Sequence, residues 1–559
     1  MNKYTIILLA ALVLFIGFVT IESVWLKNNT DYMSFNAEPI DDSIYDESSY
    51  FDVSDYYAYV KEKPDTYPSE KLITVYGSDF ESIDPSFQVL PEYEGVNDVL
   101  LTEEAGSVTW EVTVEEAGFY NLKLNYFPYE GKSSSAERAL YINGEIPFEG
   151  SSNVTFHRIW SNDGEVIEDI NGNEIRPSQI ENPFWTTSFF TDHIGYVNDP
   201  YQFYFEAGLN TITLESLREP LLIKSIELVS VISHQSYDDY STQYSGMSEV
   251  ENTLEFVQGE DHTYSTSPTL YPLNDRTSPL TVPSDPNMVR LNTIGGNNWR
   301  ISGDAITWEF EVTETGLYEI SMRVKQKLAS GMNVYRNIYI NDEIPFEEMS
   351  NYAFEYSNDW RIQTLGTPDE TYLFYFEAGV TNTITMEVSL GQYGPLIGKV
   401  QSAINNLNKL YREILIYTGP EPDPYRDYQL TERIDNLVER IEDEKVVLEE
   451  IKDQLILISG ETSEKTGILQ TVILQLDDFI DKPSEIHKNL LTYNSNISSL
   501  GTLVILLSAQ PLEIDYFMFH SPEVELPRAN ETTLESLWFS IRSFIATFTT
   551  DYSSLGETD

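Results

Sequence analysis

TWEVTVEEAGFY at residues 109–120 returns as TWEFEVTETGLY at 307–318, and each leads into a second shared run, YINGEIPFE at 141–149 and YINDEIPFE at 339–347. The spacing is 198 residues throughout. Further on, FYFEAG recurs at 203–208 and 374–379, each followed by a variant of NTIT, and the spacing falls to 171–172. One module is present twice, with altered loops. Trp110, Val112 and Val114 alternate with Thr109, Glu111 and Thr113, and Gly118 breaks the run before Tyr120, Leu122 and Leu124. Period-two patterning bounded by glycine predicts antiparallel strands with one buried face. Several such strands favour a β-sandwich, and so long a period means duplicated domains and not a solenoid.

The final strand of the two copies is displaced. PLLIKSIELVSV at 220–231 has Leu222, Ser225 and Glu227 interleaved with Ile223, Ile226 and Leu228, and it corresponds to PLEIDYFMF at 511–519. That spacing is 291, so about 119 residues are inserted before the last strand of the second copy. The insert reads as helix. Leu430, Ile434, Leu437, Ile441, Leu448, Ile451, Leu455 and Ile458 fall at three-and-four spacing. Ahead of them Val400, Ile404, Leu407, Leu410, Tyr411 and Ile414 form a stripe ending at Gly419-Pro420, and two further helices are expected at 465–480 and 484–500. Four antiparallel helices that return the chain to its exit point make a bundle built into a sandwich loop, with the stripes as its core.

The chain has 559 residues, room for three or four domains, and no cysteine, which excludes disulfides, thiolate zinc sites and lipid-modified cysteine anchors. Its net charge of −58, from 91 acidic and 33 basic residues, excludes nucleic acid as a partner and reads mainly as a solvated acidic surface.

Lys3 precedes an apolar run over 4–21, closed by Glu22 and Lys27. That length just spans a bilayer, and Ile21 with Ser23 is the best small-residue pair for cleavage. The run is read as an uncleaved anchor with the bulk of the chain outside the cell, a cleaved signal peptide being the alternative. The boundaries expected are an anchor or signal segment (1–27), an acidic stalk (28–66), sandwich 1 (67–235), sandwich 2 (236–393 and 501–523), a four-helix insertion (394–500), and an amphipathic helix and tail (524–559). In that last helix Leu534, Leu537, Trp538, Ile541, Phe544, Ile545 and Phe548 share one face, which should dock on this protein or on something beyond it.

The WE-x-x-V-x-x-x-G-x-Y pattern, QGED at 258–261, GGNNWR at 295–300 and L-x-I-D-Y at 512–516 resemble carbohydrate-binding modules of the galactose-binding-like jelly-roll type, more closely in the second copy. YTGPEPDPYRDYQL at 417–430, QPLEIDYFMFHSPE at 510–523, PRAN, the amphipathic helix and DYSSLG are similar to the N-terminal half of large extracellular solute-binding proteins of Gram-positive carbohydrate importers. This second resemblance covers nearly the whole chain. It implies a solute-binding domain directly after the final residues, so the chain is expected to be either a fragment of such a protein or the partner of a separate binding protein or importer permease.

Six scattered histidines show no metal-ligand spacing, and no nucleophile elbow, phosphate loop or dinucleotide fingerprint occurs. A sugar site needs solvent-facing rings beside amides and carboxylates. The candidates are Trp299 and Trp360 with Asn298, Asn358, Asp359 and Arg361 in the second copy, and Trp160 and Trp185 with Asn162 and Asp163 in the first, on loops about 27 residues longer. Trp110 and Trp308 lie in strands and read as core. The jelly-roll resemblance further implies a structural calcium held by Glu260 and Asp515, while Lys224 replaces the aspartate in the first copy. The sequence therefore reads as an exported, membrane-tethered, non-catalytic protein of two jelly-roll sandwiches with a helical insertion, binding carbohydrate for an importer. The rival is a structural or assembly protein that binds protein partners through its sandwiches and bundle.

Overall fold

The computed structural model describes residues 54–68, 72–460, 462–546 and 548. The apolar run, the acidic stretch up to residue 53 and the end of the tail lie outside them. In the strand Gly106–Val114, Val108, Trp110, Val112 and Val114 are buried while Glu111 and Thr113 are exposed, as alternation requires. That strand lies in the five-stranded sheet of the first sandwich, between Phe80–Ile83 and Gly208–Arg218, with Ala136–Ile142 and Val154–Phe156 beyond. The facing sheet centres on Gly118–Pro128 and Leu221–Ser230, which pair antiparallel.

The second sandwich repeats the plan. Its outer sheet centres on Gly316–Gln326 and Leu512–His520, so the strand beyond the insertion does complete the sandwich. Trp110 Nε1 donates to Gly77 O at 3.2 Å and Trp308 Nε1 to Gly259 O at 2.8 Å, fixing both indoles in the cores. One detail of the last strand departs from simple alternation. The register slips between Ile223 and Ser225 in the first copy and at Asp515 in the second, so Lys224 and Asp515 are bulge residues. Leu222 and Ser225 are buried along with Ile223 and Ile226, and the expected interleaving holds only past the bulge.

Each sandwich is also closed by a short helix that the sequence pattern did not reveal. In α1 (Ser54–Glu62) the Tyr56 hydroxyl accepts from Gln202 N at 3.1 Å and the Tyr59 hydroxyl from Tyr204 N at 2.8 Å. In α2 (Tyr237–Gln243) Tyr237 accepts from Leu373 N at 2.9 Å and Tyr240 from Tyr375 N at 3.4 Å. Rings pack beneath, Tyr56 on Phe148 at 4.9 Å and Tyr237 on Phe346 at 5.0 Å. The tyrosines bury their rings and spend their hydroxyls on the free edge of a strand. Residues 54–62, expected as stalk, are thus the first element of the repeat.

The insertion is a bundle of four long helices: α3 (Tyr393–Thr418), α5 (Leu437–Ser459), α6 (Glu464–Asp481) and α7 (Leu490–Ser508), with the one-turn α4 (Leu430–Arg433) before α5. α3 packs on α5 and α7, and α6 on the same two. The stripe expected as one helix breaks where Ile434 turns extended and Asn436 takes φ of 54°. The fourth helix starts at Leu490 because Pro483–Asn489 forms a 3-10 turn. By length and composition Pro483–Ser508 could cross a membrane. Here Leu490, Tyr493, Leu500, Leu503 and Leu507 are buried in the bundle.

The lengthened loop of the first copy clamps the second. Its strands Trp160–Asn162 and Gln179–Glu181 extend the inner sheet of the second sandwich, with Trp160 opposite Ser265. Beyond them Arg290 pairs with Glu168 at 2.7 Å and Glu174 at 2.9 Å, and Leu291 N donates to Glu174 Oε2 at 2.6 Å.

Replacing Tyr56 or Tyr237 by alanine removes both a buried ring and an edge cap, and each should cost about 3 kcal/mol. Tyr56→Phe, which keeps the ring, should cost about 1 kcal/mol. Urea unfolding of the three variants measures this; equal losses for Tyr56→Phe and Tyr56→Ala would show that the ring contributes nothing.

Candidate carbohydrate site

At one end of each sandwich a buried arginine holds the chain where the last strand begins. Arg138 donates through Nη1 to Arg218 O at 2.8 Å and through Nη2 to Glu219 O at 2.9 Å. Arg336, 198 residues on, donates through Nη2 to Gln510 O at 2.8 Å and Trp299 O at 3.2 Å. Burial lowers both guanidinium groups to about 9, against the opposing charge of Glu219 or Asp304. The repeat carried this signal three residues before YING and YIND, where Arg138 and Arg336 occupy matching places.

What grows from this point differs. In the first copy two residues, Glu219 and Pro220, make the turn and leave a cleft of about 480 Å3 lined by Glu104, Ala105, Lys132, Ser134, Leu217, Arg218 and Glu219. In the second copy the matching segment is the root of the bundle, entered near Gly391 and left near Gln510. A Cβ at Gly391 would lie 2.4 Å from the Tyr335 ring, so the chain leaves through a passage only glycine allows.

Glu219 forms the floor of the cleft. Its Oε1 accepts from Ser134 Oγ at 2.7 Å, and its Oε2 accepts from Lys132 N at 2.7 Å and Arg158 Nη2 at 2.8 Å. Burial opposes ionisation of this carboxyl, but the Ser134 hydroxyl, the Lys132 amide and Arg158 outweigh it and hold the group below its usual range. The rim carries exposed charges, Lys132 against Glu104 at 2.6 Å and Arg218 against Glu137 at 3.1 Å.

Three residues before Lys132 in the chain, Tyr129 opens an aromatic ledge. Tyr93 meets Tyr129 at 5.6 Å and Phe127 at 5.1 Å, Trp185 meets Phe127 at 5.6 Å, and Trp185 Nε1 donates to Tyr93 O at 3.3 Å. Tyr93, Tyr129 and Trp185 are half-buried, so their rings are held in place with part of each open. One fixed carboxylate, exposed rim charges and immobilised rings offer partners to sugar hydroxyls and to an apolar sugar face.

The other expected platform residues are placed differently. Trp299 is fully buried, with Nε1 donating to Asp304 O at 2.9 Å and Arg336 lying 4.1 Å over its ring. Trp360 is 2% exposed between Arg323 at 4.5 Å and Lys325 at 4.2 Å, and Asn530 donates to its carbonyl at 2.8 Å. Trp160 is buried by the sheet it shares with the second sandwich. None of these three offers a face to a ligand. Asn298 is half-buried, and Asn358 and Asp359 are exposed. Arg361 pairs with Glu355 at 2.6 Å. Asn162 is bound by Gln179 Nε2 at 2.7 Å, and Asp163 lies in the clamp loop. Of the seven tryptophans among the described residues, Trp185 alone joins the aromatic ledge.

The pair expected to hold calcium is Glu260 and Asp515. Both Asp515 oxygens are engaged: Oδ1 accepts from Val282 N at 3.2 Å and Oδ2 from Arg323, which also donates to Ala529 O at 2.8 Å. Glu260 Oε2 is buried without a hydrogen-bond partner. Among the described residues no three carboxylates or histidines form a metal-binding group. A guanidinium already neutralises Asp515, so this donor set does not fit a hard cation. Sequence reading missed Arg323 and Lys325, although their two-residue spacing in the strand puts both cations on one face.

Ser135 Oγ and His157 Nδ1 stand 3.5 Å apart. Burial pushes that imidazole down to about 4, too weak a base to activate a serine at neutral pH.

The bundle matches, over residues 395–507, the family described as bacterial solute-binding protein, 4-helix bundle domain. Among solved structures, CBM35 from Cellvibrio japonicus Abf62 is 14% identical over 29% of this chain and 95% of its own, with a TM-score of 0.18. A family 35 carbohydrate binding module from Clostridium thermocellum is 12% identical over 28% of this chain and 97% of its own, with a TM-score of 0.17. The Podospora anserina GH26-CBM35 β-(1,4)-mannanase is 14% identical with a TM-score of 0.19; the overlap spans 30% of this chain and 30% of the mannanase. No curated protein matches the chain.

Glu260 gives the cation question a readout. Burial, reinforced by the charges of Asp261, Asp515 and Glu174 against a backbone hydrogen bond, raises its carboxyl from 4.5 to about 9. A carboxyl raised on folding stabilises fully below its unfolded pKa, and that contribution is lost as pH climbs through the folded value. The contribution of Glu260 to stability should therefore fall as pH rises between about 4.5 and 9. Glu260→Gln should flatten this slope and raise the urea midpoint at pH 8, and chelator should leave the parent Tm unchanged. A destabilised Glu260→Gln with a chelator-sensitive Tm would instead assign Glu260 to a bound cation.

Proposed function

We propose that the chain is a non-catalytic, cell-surface carbohydrate-binding component that serves ABC-type sugar uptake. The observation that carries this reading is the bundle over 395–507, which matches the four-helix domain of bacterial solute-binding proteins and is rooted in the second sandwich. The first sandwich keeps open the end that the bundle occupies in the second. Its cleft, with Trp185, Tyr93 and Tyr129 beside Lys132, Arg218 and Glu219, is the sugar site under this reading. The two copies divide the labour: the first binds, and the second carries the bundle toward a solute-binding domain or importer permease. An N-terminal membrane anchor with the bulk extracellular suits a role at the cell surface, and the acidic surface excludes nucleic acid.

The second reading is a structural or assembly protein without sugar affinity. It is favoured by apolar side chains that the bundle presents to solvent, among them Leu457, Leu491 and Ile505, and by Tyr425, which is 95% exposed in the loop between α3 and α4.

A glycan array probed with the parent and with Trp185→Ala and Lys132→Ala separates the two. Binding should weaken by about tenfold in Trp185→Ala, the scale of one lost ring contact. Trp299→Ala and Trp360→Ala should affect stability and leave intrinsic affinity unchanged. Absence of binding to every glycan, or binding indifferent to Trp185, would favour the assembly reading.

A further inference from the structure

The helix α8 (Thr533–Ala546) is mounted with its apolar stripe turned outward. Leu534, Leu537, Trp538, Ile541, Phe544 and Ile545 follow helical spacing and are all exposed, Trp538 by 62% and Phe544 by 64%. The half-buried and buried side is Glu535, Ser536, Phe539, Ser543 and Ala546. This reverses the usual order for a surface helix, whose apolar side faces the core. The orientation is imposed at the first turn: Arg528 pairs with Glu535 at 2.9 Å, and Glu535 accepts from Thr532 N at 2.8 Å. The preceding segment is in turn held on the second sandwich, where Leu526 packs on Ile362, Tyr516 and Met518, and Ala529 O receives Arg323.

Charge narrows what can cover this stripe. A second copy would bring another net charge of −58, and an anionic lipid surface would repel the chain in the same way. A neutral surface with an apolar interior has neither penalty. The sequence places such a surface within reach, because 32 residues separate the apolar run 4–21 from α1. That stretch extends to at most about 110 Å. Trp, Phe, Leu and Ile on one helical face are the side chains that a helix lying in a membrane interface buries at the headgroup boundary.

We propose that α8 lies flat in the headgroup region of a zwitterionic bilayer with this stripe against the acyl boundary, giving the protein a second membrane contact besides its N-terminal run. The inference rests on the membrane-tethered reading above only for proximity.

The chain has no cysteine, so single cysteines can carry an environment-sensitive fluorophore without background. Full-length protein reconstituted in phosphatidylcholine vesicles would be labelled in turn at Phe544→Cys, at the exposed turn Asp369→Cys, and at Asn28→Cys beside the apolar run. The Phe544 label should shift to the blue and be quenched several-fold more by spin-labelled lipid than the Asp369 label. Trp538→Glu with Ile541→Glu should abolish that shift while circular dichroism and Tm stay unchanged. A shifted Asn28 label with a solvent-like Phe544 label would overturn the proposal and leave the tether standing. Neither label shifting would overturn both. Concentration-dependent quenching between Phe544 labels without lipid quenching would assign the stripe to a second copy and overturn the proposal as well.

Discussion

The architecture at one end of each sandwich depends on two buried guanidinium groups gripping backbone carbonyls. Arg138 and Arg336 are 0% exposed, and burying an arginine is costly unless its donors are spent. Here the Nη donors are spent on the carbonyls that open the last strand and on neighbouring chain, each Nε staying without a partner, so that strand starts from a fixed point in both copies. Once the point is fixed, the chain between it and the preceding strand is free to vary. One copy closes it with a tight turn over a cleft, and the other extends it into a bundle.

The same economy explains why most of the expected sugar platforms are internal. Trp299 stacks under Arg336 and Trp360 under Arg323 and Lys325, so each indole covers a buried cation. Asp515 serves as counter-ion to Arg323 at the bulge of the last strand, a place where the strand's extra residue turns its side chain away from simple alternation. On the first sandwich Trp185 stays half-open against Phe127.

What the sequence could tell follows from which signals are periodic. Alternation around Trp110 and Trp308, the spacing of the repeat and the heptad-like stripe from Ile441 to Leu455 each reflect burial along a regular element, and those elements form where expected. α1 escaped because SDYYAYVKE has no aliphatic stripe; its packing comes from tyrosine rings and its anchoring from their hydroxyls. The lengthened first-copy loop, read as a ligand-bearing excursion, proved to be a clamp, since strand addition to a neighbour's edge leaves little trace in so short a segment as Trp160–Asn162. Loop tryptophans were ambiguous for a related reason: GGNNWR looks the same whether its indole turns out or in, and a glycine turn with Arg336 behind it turns it in.

The interruption before the last strand also sets an order of assembly. In the first sandwich the bond from Ile232 N to Asn121 closes a span of 111 residues, whereas Ser321 and His520 in the second meet across 199. The missing strand is central in its sheet, so during synthesis the second sandwich stays open, with unpaired edges, until the chain beyond the bundle has emerged. Long-range pairing of this kind is slow because loop closure precedes any reward from contact. A bundle that folds first brings Gly391 and Gln510 together and turns a long closure into a short one. A bundle folded before the last strand arrives would act as a folding staple for the sandwich that carries it.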